Sequence, residues 1–429
     1  MAPTHRNPLL TSFAERSLQP QLAKIATGRL KIQDGGRIKG YGFGLPEIAV
    51  TVLDRRFYPA VAFGGAVGAG ESYAEGWWTT EDLTGLVRLL IRNRNVVDGL
   101  ETGWARLVQP LRRLLHAWNR NTRRGSQRNI RAHYDLSNEF FELFLDETLT
   151  YSCGVFDGPG ATLRDASIAK YDRLATLLNL RPGDRVVEIG TGWGGFAIRA
   201  ATEFGCRVTT TTISDEQFRF ASRRVAEIGL ADQVTVVQRD YRDLTGRFDK
   251  LVSIEMIEAV GHEHYDMFFA KCADLLEPDG LVAIQAITIQ DDRYHSARRE
   301  VDFIKRHIFP GSCIPSRAVL ARSAERAGLT LLRDDEIGLH YAETLRRWRT
   351  AFFANRDRVA ALGFDERFQR LWDFYFCYCE AGFLEGAIGT AQLSFARQTS
   401  TAGVLQLPSP PSLSAPRGEA ADVFAEAVG

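Results

Sequence analysis

The sequence predicts an α/β protein: a doubly wound seven-stranded sheet with a helical insertion across residues 126–398, a small α+β domain before it at 1–125, and a disordered tail at 399–429. Three observations lead there. From residue 126 onward, short β-branched apolar runs alternate with stretches of helical periodicity. One of those runs, RVVEIGTGWGG at 185–195, breaks into a glycine-rich turn that opens a helix. Beyond residue 399 lies the stretch LPSPPSLSAPRGEAA, whose Pro, Ser and Ala content suits a mobile tail.

Composition sets the outer limits. The 429 residues are 45% hydrophobic and hold 53 Lys plus Arg against 53 Asp plus Glu. A chain of this length and apolar content buries a proper core in two or three domains of about 150 residues each, which rules out disorder and disulfide-dependent miniproteins. Zero net charge argues against nucleic acid as a partner, because such binding rests on neutralising phosphates. The six cysteines (153, 206, 272, 313, 377, 379) show no zinc-site spacing and follow no secretory leader, so a reducing, cytoplasmic location is expected. No apolar run reaches the roughly 18 residues of a membrane span.

The elements follow in order. The N-terminal domain reads as a helix at 9–25, alternating stretches at 28–43, 49–53 and 60–63, a polar and aromatic segment at 71–78, and a helix at 81–93. Residues 102–134 contain eight arginines (106, 112, 113, 120, 123, 124, 128, 131) and no acidic residue. There Trp104, Leu107, Leu111, Leu114, Leu115 and Trp118 recur at helical steps, with Pro110 starting or kinking the helix. Such a segment is a linker helix packed on a neighbour, a surface for anionic lipid headgroups, each nearby cation being worth about 1 kcal/mol, or a nucleic-acid stripe, which no accompanying binding fold supports. The sheet strands are expected at 185–189, 207–212, 234–238, 250–254, 281–289, 330–337 and 392–396. Helices are expected at 196–204, 216–228, 264–276 and 316–327, and the aromatic-rich insertion at 344–386.

The turn after the first sheet strand carries the chemistry. Gly190, Gly192 and Gly194 let backbone approach a ligand, and Glu188 at the strand end can accept from a cofactor amine or orient the loop. The spacing is not the dinucleotide G-x-G-x-x-G, and the second strand ends in Thr-Thr-Ile-Ser rather than in a ribose-binding acid. A final strand, TAQLSFAR, after a long insertion fits the extra edge strand of a class I methyltransferase with a Rossmann-like sheet. An S-adenosylmethionine site is therefore favoured over a dinucleotide site.

Eight blocks then stand in order: RNIRAHYDLSNEFF (128–141), LTYSCG (149–154), VEIGTGWGG (187–195), TISDEQ (212–217), RDYRD (239–243), SIEMIEAVG (253–261), KRHIFPG (305–311) and HYAETL (340–345). Together they closely resemble the cyclopropane-fatty-acyl-phospholipid synthase family, and the N-terminal domain is similar to the accessory domain of its longer, non-mycobacterial members. The resemblance implies methyl transfer from S-adenosylmethionine to a cis double bond in a phospholipid acyl chain, a carbocation, and ring closure by proton loss. An alkene is a poor nucleophile, so such a site needs alignment, exclusion of water, and aromatic faces near the cation, for which Tyr151, Tyr341, Phe374, Tyr375 and Tyr378 are candidates.

Carried over by position, the resemblance implies a bicarbonate proton acceptor held by Cys153, Glu258, Gln285, the Ile287 backbone and Tyr341, with Glu258 as onward base. It implies cofactor contacts from the glycine turn, Glu188, Thr212, Ser214, Gln217 and the turn Asp240, Tyr241, Arg242, with Tyr134, Tyr151 and Ser152 closing over the methionine moiety and His133 lining the same lid. Many relatives have His where this chain has Gln285 and Ala259, and often Gly where it has Glu255. Glutamine can donate to an anion but cannot become a cation, so ring closure competes with a methylene or methyl-branched product. Glu255 is expected to contact the cofactor pocket. The expected partners are a membrane phospholipid with an unsaturated tail and an anionic bilayer, the enzyme lying peripherally on the inner face, with a homodimer left open. The alternatives are a C-methyltransferase that acts on acyl chains to give methylene or methyl-branched lipid, and a small-molecule methyltransferase.

Overall fold

The computed structural model describes residues 8–102, 136–158, 160–400 and 408–413. His133, Tyr134 and the arginine-rich stretch beyond residue 102 lie outside the described residues, as does most of the tail.

Four strands form the first sheet: β1 (Gly28–Asp34), β2 (Arg37–Phe43), β3 (Glu47–Val52) and β4 (Trp78–Thr79), in the order β2-β1-β3-β4. Alternation in β1 buries Leu30 and Ile32 on one face, as a half-covered strand requires. The expected alternating stretch at 60–63 is instead part of the helix Phe57–Ala74. Four residues of alternation cannot decide between the two periods. The Gly and Ala run serves close packing: a Cβ at Gly70 would sit 2.5 Å from the Phe303 ring and 2.9 Å from Phe374.

Seven strands form the second sheet: β5 (Arg185–Ile189), β6 (Arg207–Thr212), β7 (Val234–Gln238), β8 (Phe248–Ile254), β9 (Leu276–Ile289), β10 (Leu329–Glu336) and β11 (Ile388–Arg397). Their order is β10-β11-β9-β8-β5-β6-β7. Strands β5 to β9 pair in parallel, and β11 runs antiparallel between β9 and β10. This is the class I methyltransferase fold. The carboxyl ends of β5, β6, β8 and β9 open on one edge, where a parallel sheet binds its ligands.

Two apolar layers flank this sheet, one around Val187, Leu251, Phe268 and Leu320, the other around Val186, Phe196, Val208 and Leu174. A third core crosses the sequence-based domain boundary, joining Leu30, Trp78 and Leu89 to Trp348, Trp372 and Phe376 of the insertion. In it the Phe140 ring meets Trp372 edge-on at 4.8 Å, a geometry worth roughly 0.5–1.5 kcal/mol beyond area burial. The long helix Glu366–Leu384 is the docking strut: Tyr73 Oη donates to Asp373 at 2.6 Å, and Arg370 Nε donates to the Tyr73 carbonyl at 2.6 Å. Within the Pro-rich tail, residues 408–413 lie against the catalytic domain, the Pro408 carbonyl accepting from Arg173 and Arg333 at 3.1 Å each. No helix among the described residues is long and apolar enough to cross a membrane.

Candidate active site

A cavity of about 680 Å³ begins at the carboxyl edge of the second sheet. At one end its wall is the turn after β5, where Gly190, Gly192 and Gly194 have φ of 107°, 51° and 87°, a region L side chains rarely adopt. Gly190 and Gly192 line the cavity, whereas Gly194 stands behind the wall and starts the helix Gly195–Phe204. Glu188 is buried and accepts from Thr210 Oγ1 at 2.6 Å, and the same hydroxyl lies 2.8 Å from Thr191 Oγ1. That network fastens the turn to β6. Burial pushes the Glu188 carboxyl up to about 8, opposed by Thr210 and Lys170.

The loop after β6 is held in the same way. Thr212 Oγ1 donates to Gln217 at 2.8 Å, and Ser214 caps the helix Asp215–Glu227 by accepting from the Gln217 amide at 3.3 Å. Thr212 and Gln217 face the cavity, whereas Ser214 does not line it. Asp240, Tyr241 and Arg242 line the adjoining wall, with Arg242 Nε donating to Asp240 at 2.8 Å.

The other end is assembled from four separate segments. Cys153 comes from the loop before the sheet, Glu255 and Glu258 from the segment after β8, Gln285 and Ile287 from β9, and Tyr341 from the helix Gly338–Ala354. Sheet register does the assembling. Ile254 pairs with Gln285 across β8 and β9, and Gln285 pairs with Gln392 across β9 and β11. Gln392 Nε2 donates to Gln285 Oε1 at 2.9 Å, which turns the Gln285 amide nitrogen toward Glu255 Oε1 at 2.8 Å and the Cys153 carbonyl at 3.1 Å. The Cys153 amide donates to Glu255 Oε1 at 2.9 Å, and Tyr341 Oη donates to Glu255 Oε2 at 2.7 Å. Glu258 Oε1 accepts from the Ile287 amide at 2.5 Å, while its buried Oε2 has no partner among the described residues.

Every expected member of the bicarbonate cluster is thus present, but the donors of three of them converge on a protein carboxylate. A bicarbonate does not fit this donor set. A second anion there would also meet two buried carboxyls in a low-dielectric site. Burial and the neighbouring Glu255 push Glu258 up to about 8. The Cys153 thiol is fully buried and pushed well above its ordinary range by burial, so Cys153 contributes backbone rather than a thiolate.

Sequence reasoning missed Lys170, on the helix Leu163–Leu177. It is fully buried, its Nζ donates to Ser152 Oγ at 2.7 Å, and it lies 4.5 Å from the Tyr171 ring centroid. Burial lowers it to about 8, opposed first by Glu255. A helix-face lysine carries no sequence signal of this kind. The five aromatic candidates, Tyr151, Tyr341, Phe374, Tyr375 and Tyr378, all line the cavity, and Tyr151 Oη is 2.9 Å from Tyr375 Oη.

This fold and site agree with a family match over residues 121–393, to the mycolic acid cyclopropane synthetase model. The chain belongs to that family. It is an S-adenosylmethionine-dependent methyltransferase. Relatives include the tuberculostearic acid methyltransferase UfaA1 of Mycobacterium tuberculosis, 41% identical over 342 residues, covering 78% of this chain and 79% of the relative. The cyclopropane-fatty-acyl-phospholipid synthase of Escherichia coli is 32% identical over 353 residues, covering 81% and 87%. Among solved structures, the mycolic acid cyclopropane synthase CmaA1 complexed with SAH and CTAB superposes with a TM-score of 0.59 at 33% identity, covering 63% of this chain and 97% of that one. The 342 residues shared with the mycobacterial relative reach beyond the family match, so likeness to the longer form is not confined to non-mycobacterial members.

Proposed function

We propose that the protein transfers the methyl group of S-adenosylmethionine to a cis double bond in an acyl chain of a membrane phospholipid and closes a cyclopropane ring. One observation carries this reading: the cavity runs from the glycine turn past two buried carboxyls to apolar walls that include Leu18, Leu30, Ile32, Phe57 and Leu86 of the N-terminal domain. Such walls suit an acyl chain and have nothing to offer a small polar amine. Bound at the glycine end, S-adenosylmethionine supplies an electrophilic sulfonium methyl. The protein's own part is to align the alkene, exclude water and set aromatic faces near the developing positive charge. In this reading Gly190, Gly192, Thr212, Gln217 and Asp240 hold the cofactor, and the domains divide at 125/126 as the sequence suggests.

A second reading, a methylene or methyl-branched product, is supported by the relative named as a tuberculostearic acid methyltransferase. Ring and methylene both form by loss of a proton from the transferred methyl carbon and differ in whether a hydride first shifts along the lipid tail; a saturated methyl branch requires a separate hydride donor to reduce the methylene. Expression in a bacterium without cyclopropane lipids, followed by mass spectrometry of its fatty acids, tests both. A gain of one CH2 that resists mild hydrogenation supports the ring, and a gain that takes up hydrogen supports the methylene.

The arginine-rich stretch at 102–134 supports peripheral binding to an anionic bilayer. At about 1 kcal/mol per cation near the surface, replacing Arg112, Arg113, Arg120 and Arg123 should weaken binding to anionic vesicles by several kcal/mol. Sedimentation unchanged by those replacements overturns that part.

A further inference from the structure

We propose that Glu255 is a built-in general base for the proton-loss step and replaces an external bicarbonate, so that turnover needs no dissolved carbonate. The inference rests on the lipid-methylation reading above and names the group that completes its chemistry.

The donor set argues for it first. Glu255 accepts from the Cys153 amide, the Gln285 amide nitrogen and the Tyr341 hydroxyl at 2.9, 2.8 and 2.7 Å. All three donate, and only an ionised carboxylate accepts on both oxygens while donating nothing. Gln392 donates to the Gln285 oxygen from behind, and the Cys153 carbonyl accepts from the Gln285 nitrogen in front, which together turn that nitrogen toward Glu255. Burial raises the Glu255 carboxyl above its ordinary range, which increases its basicity, while the three donors and the nearby charge of Lys170 oppose that rise.

The backbone argues for it second. Glu255 has φ of 48°, one of three non-glycine residues with positive φ among those described. A side chain there is strained, a conformation that persists where surrounding contacts over-determine it. Glycine fits that backbone without strain. Replacing it with glutamate inserts a carboxylate among donors that would otherwise face an anion from solution. Glu255, Glu258 and Tyr341 all line the cavity, so the base borders the space in which the lipid tail would react.

The step balances. Once the methyl has joined the alkene carbon, the positive charge resides on the lipid tail. One C–H bond of that methyl breaks and its electron pair forms either the closing C–C bond of the ring or the second bond of a methylene. The proton passes to a carboxylate oxygen of Glu255, forming O–H, and is released to solvent with product departure. No oxidant or reductant takes part.

The test compares wild type, Glu255→Gln and Glu255→Gly in carbonate-depleted buffer and with added bicarbonate, using the full-length protein and vesicles of unsaturated phospholipid. Wild type should turn over equally in both. Glu255→Gln, which keeps the shape and loses the basicity, should lower kcat by about 10²–10⁴, with S-adenosylmethionine affinity by calorimetry within about twofold. Glu255→Gly, which relieves the φ strain and opens the anion site, should be as slow without bicarbonate and recover at least about tenfold with it. Binding gives an activity-independent readout: ¹³C-bicarbonate should bind Glu255→Gly and not wild type. Carbonate-dependent wild-type turnover, full activity in Glu255→Gln, or bicarbonate binding to wild type would each overturn the proposal. If wild type methylates no lipid at all, the function reading fails, and the bicarbonate-binding comparison still decides the role of Glu255.

Discussion

At the end of the cavity formed after β5, the wall is mostly backbone, shaped by three glycines and fastened by Thr210 and Thr191 within one strand-turn-strand unit. At the other end the wall is mostly side chains, among them Glu255, Glu258 and Tyr341, brought together from separate segments and tied by hydrogen bonds that cross strands and helices. Binding a cofactor shared by many enzymes needs close approach, which backbone supplies. Steering one reaction needs acids, bases and donors at fixed positions, which requires side chains. Substitutions at the two ends should therefore fail differently: the first in affinity, the second in rate.

The largest expected effect is at the reaction end. Glu255→Gln should lower kcat by about 10²-fold or more, with S-adenosylmethionine affinity unchanged by calorimetry. An equal loss of affinity would break the division between the two ends. Next is Gly190→Val, which must hold φ of 107° with its Cβ 3.3 Å from Met256. A strain of roughly 1–3 kcal/mol should weaken cofactor binding about tenfold or more, read in the same assay. Normal affinity in that variant would remove the glycine turn from the cofactor site.

A smaller effect appears in stability against pH. Folded, Glu258 keeps its proton up to about 8, whereas in the unfolded state it ionises near 4.5. Between those values the folded state binds more protons, so this group lowers stability as pH rises through the window. Glu258→Gln lacks that titration, and its melting temperature relative to wild type should rise between about pH 5 and about pH 8. A pH-independent difference would mean that the carboxyl is not held protonated. The smallest effect lies away from the cavity: Tyr73→Phe removes the donor to Asp373, which Arg349 Nε still engages at 2.6 Å. A loss of about 1 kcal/mol in denaturant unfolding is expected, with both cavity functions intact.

The sequence by itself determined what is local. Strands β5, β6 and β7 occupy the residues that their β-branched runs indicated, and the glycine turn follows because φ values near 51° to 107° admit few other residues. Family blocks then pointed to Cys153, Glu258, Gln285, Ile287 and Tyr341 as neighbours. Glu255 was legible as a second carboxylate expected at the cofactor pocket, but not its meaning. Tertiary structure alone decided that. Register across β8, β9 and β11 sets Gln392 behind Gln285 and Gln285 against Glu255, while the loop and helix packed above the sheet add Cys153 and Tyr341. Likewise, the four alternating residues at 60–63 lie in the helix Phe57–Ala74, which packs against Phe303 and Phe374 at Gly70. Periodicity records which face of an element is buried. It carries no record of which distant donor will meet a buried carboxylate, and that meeting gives this site its chemistry.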